Sequence, residues 1–135
     1  MDESAQGIIL RVRPLTETSL IVHWLTAKHG RLTTVAKGAR RTKSDFRGKI
    51  DLLFDAEFSF RRSRRSDLHI LREVKIRKSH PAIREDISRL QLLAYATHFI
   101  ERTTKVEAPL LGIHAIFSTL LTHLDSNPNR PALVY

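Results

Sequence analysis

The chain has 135 residues, room for one ordinary core or for one small barrel with a helical appendage, and too little for a large multidomain enzyme. Its 23 Lys and Arg against 14 Asp and Glu give a formal charge of +9, a balance that points to an anionic partner. The absence of cysteine excludes disulfides, thiol catalysis and Cys-based zinc sites, and no apolar run approaches the roughly 20 residues of a membrane-spanning helix.

The amino terminus opens with Asp2 and Glu3 where a secretory signal would carry a basic and then an apolar stretch, so a cytoplasmic location is expected. From Gly7 to Ile76 the apolar residues recur with period two, the mark of strands with one buried face. Ile8, Leu10 and Val12 form the first such set, and Leu20, Val22 and Trp24 the second. Arg31 to Lys37 makes a short third strand, weakly apolar on both faces. Leu52, Phe54, Ala56, Phe58 and Phe60 form the fourth set, and Leu68, Ile70, Arg72, Val74 and Ile76 the fifth. Turn residues separate them at 13–17, at Lys28-His29-Gly30, through a long basic loop from Gly38 to Lys49, and at 61–67. Five short antiparallel strands must close or leave open edges, and a small closed barrel of the OB type satisfies that demand.

After His80-Pro81 the period lengthens. Ile83, Ile87, Leu90, Leu93, Ala94, Thr97, Phe99 and Ile100 fall on one helical face, with Glu85 and Asp86 near its positive end. A second helix is predicted from Pro109 to Leu124, stopping at Asp125-Ser126-Asn127-Pro128, and Pro131 suits the first turn of a third. Mainly β with α, the chain therefore divides into a barrel domain over 1–80 and a partial α-helical domain over 81–135. The two helices carry more apolar surface than a free hairpin can hide, so they are expected to pack on the barrel, on a partner, or on a part of the protein missing here.

The charge follows the same division. Residues 1–80 hold 18 Lys and Arg against 9 Asp and Glu, while 81–135 hold 5 of each. Excess charge confined to the barrel is the pattern of a nucleic-acid-binding module joined to a neutral one. An anionic membrane surface fits less well, since the cations lie on no amphipathic helix and no lipidation signal is visible. The segment Val35 to Lys43 leaves a strand with no acid before Asp45, and its Lys, Arg and Gly residues suit a grip on phosphate. Lys37, Arg40, Arg41 and Lys43 are the first candidate contacts, followed by Arg31, Arg47 and Lys49. Arg61, Arg62, Arg64 and Arg65 form a second cluster in the connection before the last strand. Phe46, among charged neighbours, is the one aromatic nominated for base stacking; Phe54, Phe58, Phe60 and Trp24 are assigned to the core.

No catalytic arrangement emerges. Asp55 and Glu57 alternate onto one strand face and are expected to face solvent opposite Lys and Arg across the sheet. The seven histidines lack paired metal-ligand spacing, and no phosphate-binding loop, nucleophile elbow or dinucleotide fingerprint occurs. Neither an enzyme activity, a metal nor a cofactor is expected.

The runs Ile8 to Val22, Leu25-Thr26, His29-Gly30-Arg31-Leu32 and Val35 to Arg41, in this order and spacing, resemble the amino-terminal region of the bacterial recombination and repair family RecO. Leu71-Arg72-Glu73-Val74 and His80 to Asp86 look like that family's last strand and its entry to a helical domain. The resemblance implies an OB fold that binds single- and double-stranded DNA, annealing of complementary strands covered by single-strand-binding protein, and, with RecR, loading of the RecA recombinase on the nucleoid. In the family's basic motif the matching positions are Lys37, Arg40, Arg41 and Lys43. Two departures stand out: family members usually exceed 200 residues, and many carry a four-cysteine zinc module that this chain lacks. Two other functions fit the residues. One is a protein-interaction adaptor docking repair or replication proteins through its helices, the other an RNA-binding OB module.

Overall fold

The period-two patterning resolves into five strands, β1 Asp2–Pro14, β2 Leu20–Thr26, β3 Arg31–Ala36, β4 Asp55–Arg61 and β5 Leu68–Lys78. The computed structural model describes residues 2–104 and 111–126; Pro109 and Leu110, at the predicted start of the second helix, and the helical turn predicted at Pro131 lie outside them. The strands close into a barrel in the order β1-β2-β3-β5-β4, with β4 returning to β1. This is a barrel of the OB type expected from the sequence, with one correction to the pairing. β3 and β5 run parallel, through Thr33↔Leu68, Thr34↔His69 and Val35↔Ile70. The β4–β5 hairpin fills the gap between β3 and β1, and because β4 runs antiparallel to β1, β5 necessarily runs parallel to β3.

One long strand makes closure possible. The first part of β1, Asp2 to Ile8, pairs with β4, and the part from Gly7 to Pro14 pairs with β2. Both ladders meet at Gly7, where a Cβ would stand 3.1 Å from the Leu25 carbonyl oxygen and 3.2 Å from the Phe58 ring. Only glycine lets the strands approach that closely.

Three register shifts explain where simple alternation fails. Leu10 is the extra residue between the pairs Ile9↔Trp24 and Arg11↔His23. Ile9 and Val12 therefore both face the barrel interior, whereas Ile8 and Leu10 pack outward against the helices. Their assignment to one face with Val12 is thereby corrected. Arg72 is the extra residue between Phe60↔Leu71 and Ser59↔Glu73, which turns Leu71 and Val74 inward. A third shift falls between Asp55 and Ala56. Such bulges add twist and let a short sheet curl shut.

The interior is filled by Ile9, Val22, Trp24, Leu32, Phe58 and Phe60 with smaller neighbours. Trp24 stacks on Phe58 at 3.9 Å between ring centroids, and its indole N–H donates to Thr34 Oγ1 at 3.0 Å, so the buried donor is satisfied. Trp24, Phe54, Phe58 and Phe60 are core residues, as the alternation predicts.

The single helix predicted after Pro81 is divided into α1, Pro81–Arg84, and α2, Ile87–Thr103; α3 spans Leu111–Ser126. Asp86 causes the break: its carboxylate accepts from the Arg89 backbone N–H at 3.2 Å and caps α2. The restart leaves Ile87 at 73% and Phe99 at 58% exposure, so neither belongs to the buried face predicted for it. Ile83, Leu93, Phe117 and Leu121 instead join Ile8, Leu10, Leu25 and Leu53 in a second core between barrel and helices. Polar ties reinforce it, with Asp125 Oδ1 accepting from the Ala82 N–H at 2.9 Å and Arg89 Nη1 donating to the Leu124 carbonyl at 2.8 Å. None of the described helices is long and apolar enough to cross a membrane.

Candidate nucleic-acid interface

Leu20 opens β2 opposite Ala36 at the end of β3, so the β1–β2 loop and the start of the β3–β4 loop leave the barrel at the same end. The β3–β4 loop continues as a chain of tight turns. Arg41 N–H donates to the Gly38 carbonyl, Ser44 to Arg41, Arg47 to Ser44 and Lys49 to Phe46, at 3.0–3.2 Å. Gly38 and Gly48 supply the left-handed backbone these turns require, with φ of 70° and 74°. The loop is also fastened to its neighbour. Arg40 donates from its backbone N–H to the Thr18 carbonyl and from Nη1 to the Thr16 carbonyl, both at 2.9 Å, and Gly38 N–H donates to Ser19 Oγ at 3.3 Å.

This scaffold leaves the cations outward. Lys37, Arg40, Arg41, Lys43, Arg47 and Lys49 are all exposed, and among the described residues none of the six makes an ion pair. Arg40, Arg41 and Arg47 line a cleft of about 350 Å³ with Phe46. Lys37, Arg41 and Lys43 line an adjoining one of about 340 Å³, also with Phe46. Phe46 is half-buried and packs with Ala39 and Ile50 against the barrel core, so it supports the loop from beneath with one side toward both clefts.

The second predicted cluster sits at the other end of the barrel and is differently placed. Arg61 Nε lies 3.6 Å from Asp2 Oδ1, and Arg62 donates to Glu3 from Nε at 2.8 Å and from Nη2 at 3.2 Å. The Arg62 fork holds the Glu3 carboxyl below its usual carboxylate pKa. Arg72 Nε approaches the second Asp2 oxygen at 3.6 Å. Arg64 and Arg65 are exposed in the β4–β5 loop, where Ser63 Oγ accepts from the Arg65 and Ser66 N–H groups.

Strand register links the two ends. Arg13 stands opposite Ile21, Ile21 opposite Val35, Val35 opposite Ile70, and Ile70 opposite Arg61. Val12, Val22, Ala36, Leu71 and Phe60, each next in sequence to one of them, face the interior, so the row lies on the outer side of the sheet. It crosses all five strands from the loop end to the Asp2 end, with Ile21 and Val35, both buried, and half-buried Ile70 between two exposed arginines. Four strand spacings make such a row about 19 Å long before curvature. Arg13 and Arg72 were not among the predicted contacts. Arg13 stands immediately before the turn at Pro14, and Arg72 is a cation in an otherwise apolar alternation, a legible sign of a bulge.

Arg31 is separated from this surface. Its guanidinium donates through Nε to Thr104 Oγ1 at 2.6 Å and through Nη2 to the Thr104 carbonyl, which commits it to the end of α2. Glu101 on the same helix faces Arg11 at 3.7 Å and His23 at 4.0 Å. Burial, then the charges of Arg13, Arg11 and Arg31, push the His23 pKa down to about 4. The expectation for Asp55 is also corrected: it is buried beside α3, its Oδ1 without a hydrogen-bond partner, while Glu57 is exposed opposite Lys75. The fold brings His114, in the first turn of α3, near Asp55, a proximity no local pattern reveals. A hollow of about 540 Å³ adjoins His114 and mixes Glu57 and Glu73 with Lys28 and Lys75, giving a polyanion no net attraction. Among the described residues no His, Asp and Glu group could hold a metal ion.

Comparison with known proteins identifies relatives of this chain. The family model described as recombination protein O N terminal matches residues 1–80. The DNA repair protein RecO of Anaeromyxobacter sp. (strain K) is 28% identical over 126 residues, covering 93% of this chain and 50% of that protein. The protein of the same name from Rhodopirellula baltica is 36% identical over 94 residues, covering 70% of this chain and 35% of its own length. That from Moorella thermoacetica is 29% identical over 131 residues, 96% of this chain and 47% of the relative. The chain thus spans about half the length of the curated relatives it matches, or less.

Proposed function

This chain belongs to the RecO family, and from that membership we propose that it serves DNA repair and recombination by holding DNA strands on the barrel while they find their complements. Residues 1–80 act as the nucleic-acid-binding unit and 81–135 as the first part of a helical unit. Single- and double-stranded DNA are both ligands, since the groups offered are guanidinium and ammonium ions that recognise phosphate without reading bases. One observation carries the reading: six loop cations without acidic partners stand at one end of an apolar row that crosses the sheet to a second set of arginines. A flexible strand can lay phosphates on the loop and set a base against Ile70, the partly exposed member of the row. Phe46, half-buried beneath the clefts, offers a ring edge to a base there.

Annealing in this scheme involves no bond-breaking step, so no catalytic residue is assigned. By family membership the partners are RecR and single-strand-binding protein, with RecA loaded as a consequence, on the nucleoid of the cytoplasm. Tyr95 at 71% and Ile116 at 72% exposure, with Phe99, favour a second role for the helices as a protein-docking surface.

Fluorescence anisotropy with labelled single-stranded DNA, double-stranded DNA and RNA at two salt concentrations tests the proposal. Binding that weakens steeply with salt and is lost when Lys37, Arg40 and Arg41 all become Ala is the expected result. Absence of binding at low salt, or survival of binding in the triple variant, overturns it; preference for RNA replaces DNA with RNA as the ligand.

A further inference from the structure

We propose that Asp2 and Glu3 are internal stand-ins for phosphate, occupying a second polyanion site built by Arg61, Arg62 and Arg72. The inference rests on the DNA-binding reading above and adds how its far end is regulated. These arginines project from β4, its exit and β5, so the barrel itself fixes their positions. Arg62 offers its fork to both Glu3 oxygens, at 2.8 and 3.2 Å, with its guanidinium carbon 5.4 Å from the centre of the Phe60 ring. Arg61 and Arg72 take one Asp2 oxygen each, both at 3.6 Å. Planar guanidinium groups recognise carboxylate and phosphate with the same paired N–H geometry. Two carboxylates set among three arginines therefore occupy positions that two phosphates of a strand can take.

The acids are delivered by the ladder that closes the barrel. Asp2 is in register with Arg61 and Glu3 with Phe60, so β1 presents both carboxylates without a search, as a tethered ligand does. Their hold is light, because the side chains involved are between 37% and 56% exposed and water screens pairs of that kind. A polynucleotide already seated on the basic loop arrives at the same arginines as another tethered anion, and it gains counterion release with each added contact. The far end of the row then opens to a strand that the near end already holds, and closes when the strand leaves.

Replacing both acids, in Asp2→Asn with Glu3→Gln, should raise affinity for a single-stranded oligonucleotide roughly three- to tenfold at low salt and steepen the salt slope by about 0.7 for each phosphate newly bound. A charge-matched control, Glu57→Gln with Glu85→Gln, removes two exposed acids elsewhere and should change little. Adding Arg61→Ala, Arg62→Ala and Arg72→Ala to the acid-replaced variant should abolish the gain, with circular dichroism confirming that each variant folds. An equal rise in the charge-matched control makes the effect one of net charge and overturns the inference. No rise, while Lys37, Arg40 and Arg41 remain essential, overturns it and leaves the DNA-binding proposal standing. Failure of the unmodified protein to bind any polyanion removes both.

Discussion

The loop end and the Asp2 end of the barrel are both rich in arginine, but they treat charge in opposite ways. At the loop end a chain of turns and the Thr18 carbonyl hold the backbone, and the exposed cations meet carbonyls at most, Arg40 donating to Thr16 and Arg47 to Thr42, with no carboxylate opposite them. At the other end carboxylates of the same barrel face Arg61, Arg62 and Arg72. A basic stretch is thus a poor guide to a binding surface until its acidic neighbours in space are known. Of the eighteen cations over residues 1–80, Arg11, Arg61, Arg62 and Arg72 face carboxylates, whereas the six gathered on the fixed loop do not.

Three experiments bear on that contrast. The largest effect is expected from Lys37→Ala, Arg40→Ala and Arg41→Ala together, which should lower affinity on the order of a hundredfold at low salt and make the salt slope shallower by about 2. A loss no greater than that from Arg61→Ala with Arg62→Ala would erase the distinction between the ends. A middle-sized effect is expected on stability where arginines crowd a buried group. His23 has a pKa of about 4 when folded against an ordinary 6.5, so the unfolded chain binds more protons between those values and stability falls as pH drops through that window. The loss should amount to about 1–3 kcal/mol in urea unfolding, and His23→Gln should flatten the profile. An unchanged profile in the variant would assign the loss to other groups. The smallest effect on binding is expected from Arg31→Ala, less than about twofold in affinity but about 1 kcal/mol in stability through the lost Thr104 contacts. A binding loss like that of Arg40→Ala would return Arg31 to the interface.

Much of the barrel was legible because strands write their buried face every second residue, and Val22, Trp24, Phe58 and Phe60 obey that rule. Bulges do not announce themselves in this way. Leu10 and Arg72 each insert one residue, and the faces predicted for Ile8, Leu71 and Ile70 changed accordingly. Helical periodicity ran smoothly across Glu85 and Asp86, although a capping carboxylate there favours a break as strongly as it favours a helix start. For the candidate site, the exposed loop cations could be read directly, since their neighbours in sequence are also their neighbours in space. Arg31 and Arg62 could not, because their partners, Thr104 and Glu3, lie 73 and 59 residues away. Ion-pair choice across such separations is decided by topology.

The parallel seam has a mechanical consequence. It is held by three residue pairs, whereas the β1–β4 ladder has seven, so thermal opening of the barrel should begin between Val35 and Ile70, in the middle of the outer row. A polymer draped over that row would act as a stitch across the weakest joint. Loading would then stiffen the protein, and release would let the joint breathe again.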